Sequence, residues 1–334
     1  MHGVQRPAED AGAAASRPQA PAPPKVISVH AADDCPAVLP GSITPHGPRT
    51  QLRGTATVSK WQLSETFRST SGEVRWGSLG DPGQDPVVLL HGTPFSSYVW
   101  RAVARALARR HQVFVWDMPG YGVSEKSAGQ DVSLAAQGRV FTELLAHWGL
   151  EEPLVVAHDF GGAVSLRAHL LHGARYRALA LVDPVALSPW GTPFFRLVGE
   201  HSEVFEQLPP ALHHALVREY ISSASSPGLH PVVLDRLIQP WLGDLGQAAF
   251  YRQIAQADQL HTDEVQDRYG EIGFPTLVCW GQDDTWLPME KGRELTARIP
   301  GARLEPIAGA GHLVQEDAPA ELTAALTAFL QYPL

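Results

Sequence analysis

Six short runs of apolar residues punctuate the chain. Val87 to Leu90, Val113 to Trp116, Leu154 to Ala157, Leu179 to Val182, Thr276 to Trp280 and Arg303 to Ile307 each read as a buried strand. Between them, Trp100 to Arg110, Ser133 to Trp148, Gly162 to His172 and Met289 to Arg298 carry apolar residues at helical spacing. Strand and helix therefore alternate. That order predicts an α/β architecture, a mostly parallel sheet with helices on both faces, and it puts candidate site residues on the loops at the carboxyl ends of the strands.

Two intervals depart from the rhythm. Between Val185 and Gly273 the sequence holds helical patterns, prolines and many aromatic residues, including Trp190, Phe194, Phe195, Phe205, Tyr220, Trp241, Phe250 and Tyr251. An interval of that length is a subdomain rather than a loop. The expectation is a helical cap over residues 187–271, inserted into a core made of residues 58–186 and 272–334. Residues 1–57 are rich in Ala, Pro and Gly without apolar periodicity, so they read as a disordered tail that cannot repay its ordering entropy. Glu9, Asp10 and scattered prolines interrupt any stretch resembling a secretory signal.

Composition narrows the function. With 26 Lys and Arg against 35 Asp and Glu, the formal charge of −9 repels phosphate backbones, and no nucleic-acid partner is expected. The longest apolar runs fall far short of the roughly 18 residues that cross a bilayer, so no membrane span is expected either. Only two cysteines occur, Cys35 and Cys279, which fits a reducing cytoplasm better than a disulfide framework.

The most informative string is Leu154-Val-Val-Ala-His-Asp-Phe-Gly-Gly-Ala163, a strand that runs through small residues into a helix. It has the form of a nucleophile elbow with Asp159 where G-x-S-x-G would place serine. Asp is also a favoured N-cap, which would give the residue a purely structural task. Upstream, His91-Gly-Thr-Pro94 follows a strand, so the backbone N–H groups of Thr93 and Phe160 are candidates for an oxyanion hole, and His91 is a candidate substrate contact. Gly309-Ala-Gly-His312 sets His312, one of 15 histidines, in a glycine-flanked loop after the last strand. The chain order is then nucleophile, acid, histidine. Asp284, just past the strand Thr276 to Trp280, is the preferred partner for His312, and Asp183 in Leu181-Val-Asp-Pro184 is the alternative acid, although Asp before Pro also starts turns.

From about residue 58 onward the chain resembles the α/β-hydrolase superfamily. The combination of His-Gly-x-Pro, His-Asp-x-Gly-Gly and Gly-x-Gly-His resembles its aspartate-nucleophile branch, which contains epoxide hydrolases and haloalkane or haloacetate dehalogenases. The resemblance implies the α/β-hydrolase fold and catalysis by Asp159, Asp284 and His312 through an alkyl-enzyme ester on an electrophilic saturated carbon. Dehalogenases of the branch hold the halide with a Trp after the nucleophile and often an Asn after His-Gly. Those positions are Phe160 and Thr93 here, and Phe has no N–H to donate. Trp190 is the candidate substitute. Ala249-Phe-Tyr-Arg252 resembles the cap motif that carries an epoxide-opening tyrosine, which implies that Tyr251 serves that step, with Tyr220 the only candidate for a second phenol. The expected activity is epoxide hydrolysis of a small apolar substrate by water; dehalogenation is the alternative, and a binding or signalling protein that keeps the pocket is a third. His213-His214 and His169-x-x-His172 lack H-E-x-x-H, and no phosphate-binding glycine string follows the first strand, so neither metal nor cofactor is expected.

Overall fold

The computed structural model describes residues 61–331, and the tail expected over residues 1–57 lies outside them. Eight strands, β1 Glu65–Ser69, β2 Gly72–Leu79, β3 Pro86–Leu90, β4 Gln112–Trp116, β5 Leu154–His158, β6 Ala178–Val182, β7 Thr276–Gly281 and β8 Arg303–Ile307, form one sheet in the order β1-β2-β4-β3-β5-β6-β7-β8. From β4 to β8 across the sheet all pairs are parallel, with Val88 beside both Phe114 and Val155, and Ala157 beside Leu181. β1 and β2 join as an antiparallel hairpin on the edge of β4. The mostly parallel α/β architecture expected from the sequence is present.

Burial explains which strands the apolar pattern exposes. β5, β6 and β7 are buried at every residue, and β3 and β4 at all but the first. Strands covered on both faces read as unbroken apolar runs. β8 is a correction to the buried strand expected there: Arg303, Glu305 and Pro306 are exposed, because β8 is an edge that pairs with β7 alone. Pro306 is tolerated at such an edge because its missing N–H leaves no ladder bond unmade.

The helix Phe160–His172 is buried from Phe160 through Ala168, around its whole circumference rather than on one stripe, with the polar Ser165 and Arg167 bonded to the Gly162 carbonyl and to Glu264. Between β6 and β7 lie the helices Pro193–Glu200, Ser202–Phe205, Pro210–Ser222, Pro231–Ile238, Gly243–Ala255 and Leu260–Gln266. Pro193, Pro210 and Pro231 each sit in a first turn, where a fixed φ favours the helix and the lost N–H costs nothing. Three of the prolines in this interval thus start its helices. Among the described residues no helix is long and apolar enough to cross a membrane.

Candidate active site

The strand β5 ends at His158 and the next helix begins at Phe160, so Asp159 must turn the chain alone. It does so at φ 50° and ψ −119°, a conformation that non-glycine residues rarely adopt. The turn fits only because small residues follow it. A Cβ on Gly161 would meet the His91 carbonyl oxygen at 2.6 Å, and one on Gly162 would meet Pro184 Cβ at 2.4 Å. The Asp159 side chain makes no capping hydrogen bond to its helix. Instead Oδ1 accepts the Thr93 N–H at 2.6 Å, and a Cβ on Gly92 would strike that same oxygen at 2.3 Å. Both loops are therefore shaped around the carboxylate. Phe160 opens the helix, so its N–H is among those without an intrahelical acceptor.

His312 reaches the other carboxylate oxygen. Its Nε2 lies 3.4 Å from Asp159 Oδ2, and its Nδ1 hydrogen-bonds Asp284 Oδ2 at 2.8 Å. Asp284 Oδ1 accepts the backbone N–H groups of Trp286 at 2.7 Å and Leu287 at 3.0 Å, which fixes the carboxylate plane. The loop bearing His312 is drawn against β7 at Gly281, where a Cβ would lie 2.2 Å from the Gly311 carbonyl oxygen. His158 Nε2 faces the His312 carbonyl at 2.9 Å and is therefore its N–H donor. Burial, with the His312 charge adding to it, lowers His158 to about 3, so this ring stays neutral.

The charges favour an imidazolium in the free protein. Burial alone would lower His312, but the Asp284 carboxylate and then Asp159 raise it well above the ordinary imidazole range. Burial would likewise raise Asp284, yet the His312 charge, the hydrogen bond from His312 and the two backbone N–H groups hold it below the ordinary carboxylate range. Asp183 is fully buried beside this pair, but His312 Nδ1 is bonded to Asp284. Among the described residues one set of ligand-type side chains converges, Asp183, Asp284 and His312, in which His312 bonds Asp284 while backbone N–H groups of Gly281, Trp286 and Leu287 hold the two carboxyl groups.

A small cavity opens over Asp159 and His312, walled by Thr93, Phe160, Val185, Trp190, Gly191, Thr192, Phe195, Tyr220, Trp286 and Leu287. Two expected contacts lie elsewhere. Tyr251 is a correction: it does not line the cavity, and its hydroxyl meets His213 Nδ1 at 2.9 Å. Since His213 Nε2 donates to the Trp241 carbonyl at 2.8 Å, Nδ1 is the acceptor and the Tyr251 O–H is committed to it. His91 is the second correction. Its Nδ1–H donates to the Gly92 carbonyl at 2.9 Å and its Nε2 accepts the Met118 N–H at 3.0 Å, so it ties two loops together and does not line the cavity.

Trp190 does line the cavity, yet its indole N–H donates to Thr262 Oγ1 at 2.9 Å. Trp286, which the sequence reading did not single out, donates its N–H to Ser223 Oγ at 3.1 Å. Tyr220 stacks on Trp286 at 4.5 Å between ring centres, and Trp286 stacks on His312 at 5.0 Å. The phenol is thus held over the site. Burial raises the Tyr220 hydroxyl well above its ordinary range, and the nearby Asp159 charge adds to that effect. A buried polar group was also missed: Gln253 Oε1 accepts hydrogen bonds from Thr93 Oγ1 at 2.5 Å and Tyr121 at 3.0 Å, bracing the loop that carries the Thr93 N–H. Its only sequence signal was an amide two residues after Tyr251.

Comparison with known proteins agrees with this fold. The sequence pattern of the alpha/beta hydrolase family matches residues 87–326. Haloalkane dehalogenase 2 of Mycobacterium tuberculosis (strain ATCC 25618 / H37Rv) is 27% identical over 273 residues, covering 79% of this chain and 93% of its own. An alpha/beta hydrolase fold protein from Burkholderia ambifaria is 47% identical and superposes with a TM-score of 0.77 over 80% of this chain and 97% of its own. The haloalkane dehalogenase DatA from Agrobacterium tumefaciens C58, 22% identical with a TM-score of 0.66 over 78% of this chain and 92% of its own, shares the fold.

Proposed function

Since this chain belongs to the alpha/beta hydrolase family and has its fold, we propose that it is a cofactor-independent hydrolase in which Asp159 attacks a saturated carbon of a small apolar epoxide. The observation that carries this reading is the placement of the two Asp159 oxygens. Oδ1 rests on the Thr93 N–H, where an oxyanion is stabilised, and Oδ2 faces His312 and the cavity. Oδ2 forms the new C–O bond, the ring C–O bond breaks, and the alkoxide takes a proton from Tyr220. The product of this half-reaction is an ester on Asp159. The Tyr220 phenolate recovers its proton, through water, from the His312 imidazolium, and the neutral imidazole then removes a proton from the water that attacks Cγ. The oxyanion forms on Oδ1 between the N–H groups of Thr93 and Phe160, and its collapse expels the product alkoxide, which takes the proton of the new Asp159 carboxyl group and leaves as the diol, with Asp159 ionised and His312 again an imidazolium.

The electrostatics suit this sequence of steps. An ester carries no charge, so alkylation removes one of the two carboxylates that raise His312, at the stage where His312 must give up its proton and act as a base. An acyl substrate would give an anhydride on Asp159, which disfavours esterase chemistry. A small cavity with aromatic walls suits a small apolar molecule.

Haloalkane dehalogenation is the second reading, favoured by the name of the mycobacterial relative. Against it, the Trp190 and Trp286 indole donors are committed to Thr262 and Ser223, and Phe160 has no N–H on its ring. A panel of small epoxides and chloro- or bromoalkanes, run beside Asp159→Ala, tests the two readings. On epoxides, Tyr220→Phe should slow turnover roughly 10- to 1,000-fold, the range for a lost general acid or oxyanion donor, while Tyr251→Phe should cost little. Halide release by the parent without epoxide opening would hand the assignment to the dehalogenase, and full epoxide turnover by Tyr220→Phe would take the proton-donor role away from Tyr220.

A further inference from the structure

Two carboxyl groups meet behind His312, and the hydrogen bonds around them are unequal. Asp284 receives three: the N–H groups of Trp286 and Leu287 on Oδ1, and His312 Nδ1 on Oδ2. Asp183 receives one, from the Gly281 N–H to Oδ1 at 2.9 Å, and its buried Oδ2 accepts none. An oxygen of Asp183, an oxygen of Asp284 and a ring nitrogen of His312 all lie within 4.8 Å of one another. Asp183 is held there at φ 42°, a conformation an L-residue keeps only where its surroundings impose it; its N–H donates to the Cys279 carbonyl at 3.1 Å.

Two carboxylates cannot both stay ionised at such separation in a site closed to water. The uneven donors decide which one holds the charge. We infer that Asp183 is a positioning residue, a neutral carboxylic acid whose Oδ2–H donates to the Asp284 carboxylate, so that the pair behind His312 shares one proton and one negative charge. The groups facing Asp183 are Asp284, His312 and the Cys279 thiol. Burial and then the Asp284 charge raise Asp183 well above the carboxylate range, while His312 and the Gly281 N–H oppose them without prevailing. Burial also pushes the Cys279 thiol up, so it stays protonated and adds no charge.

The consequence is a tuned partner for His312. A donor on Asp284 spreads its negative charge and weakens its pull on the Nδ1 proton, which keeps His312 from becoming too stable a cation to serve as a base. The inference rests on Asp284 being the partner of His312, and it holds for either electrophile that Asp159 takes.

Full-length Asp183→Asn and Asp183→Ala, with histidine labelled for NMR and His312 assigned by its loss in His312→Gln, provide the test. An amide N–H replaces the acid O–H, so Asp183→Asn should leave the His312 titration in place and turnover within about threefold of the parent. Asp183→Ala should shift the His312 titration upward and lower kcat about 10- to 100-fold with little change in KM. The idea is overturned if Asp183→Asn mimics Asp284→Asn, since Asp183 would then be the anion, or if Asn and Ala give the same His312 titration. Should the alanine variant not fold, infrared spectroscopy decides between parent and Asp183→Asn. A protonated-carboxyl band at neutral pH must be present in the first and missing from the second, and its absence from the parent sinks the inference. If Asp284→Asn leaves the His312 titration unmoved, the pairing of those two fails instead, while the infrared band still reports on Asp183.

Discussion

His312→Gln, mixed with an accepted substrate, should stop after one turnover with the substrate fixed to Asp159. Intact protein should gain the mass of one substrate molecule. The expectation follows from the geometry: Oδ2 is free to attack without help from His312, but glutamine cannot take the proton from the water that hydrolyses the ester. Steady-state turnover should fall at least about a thousandfold, as when other catalytic histidines are removed. The added mass also identifies the electrophile. An epoxide adds all of its mass because the ring oxygen stays attached, whereas a haloalkane adds its mass less one hydrogen halide. In oxygen-18 water the parent should place label in Asp159 during a single turnover before any reaches the product. Label that enters product first, or a His312→Gln protein that turns over without an adduct, means that water attacks directly and that Asp159 has another task.

How much of this site could be read before the fold was known depends on what constrains each residue. Asp159 and His312 were legible because backbone geometry restricts their neighbours. Gly161 and Gly162 have no room for a Cβ, and the loop before His312 must pass Gly281 at close range. Small residues at fixed spacing are visible in any sequence. The buried strands β3 to β7 were legible for a related reason, since strands covered on both faces must be apolar throughout. The hairpin of β1 and β2 gave no such run: Val74 is its only fully buried apolar side chain, Gly77 is buried without one, and the remaining positions are exposed or half-buried.

The helical insertion shows where that reasoning stops. Tyr251 has the expected residue type in the expected string, but the helix Gly243–Ala255 docks with that side toward His213. Gln253, two residues on, faces Thr93 and Tyr121 instead. On a helix, neighbours two apart point about 200° apart, so a motif fixes composition without fixing which face meets the site. Tyr220 reaches the cavity from another helix, and it stacks on Trp286, a partner far away in sequence. The availability of the Trp190 N–H was hidden in the same way, since Thr262 removes it only after folding.

Asp284→Asn should lower kcat by about a hundredfold to ten-thousandfold, by analogy with the aspartate of serine triads, and should leave the ester on Asp159 to accumulate. The direction of the amide decides this. Asp284 Oδ1 is held by two backbone N–H groups, so the asparagine oxygen takes that place and its NH₂ turns toward His312 Nδ1. Nδ1 must then accept, the ring proton moves to Nε2, and the nitrogen facing the ester can no longer take a proton from water. Stability should follow pH with a matching sign. In the parent, the raised His312 value makes its contribution complete below the ordinary imidazole range and lost as pH rises through the raised value. The lowered Asp284 value makes its contribution present above the ordinary carboxylate range and lost as pH falls through the lowered one. Parent and variant should therefore differ most in Tm between those two limits, and less on either side. A variant within about tenfold of parental turnover, with the same Tm profile, would place the partner of His312 elsewhere.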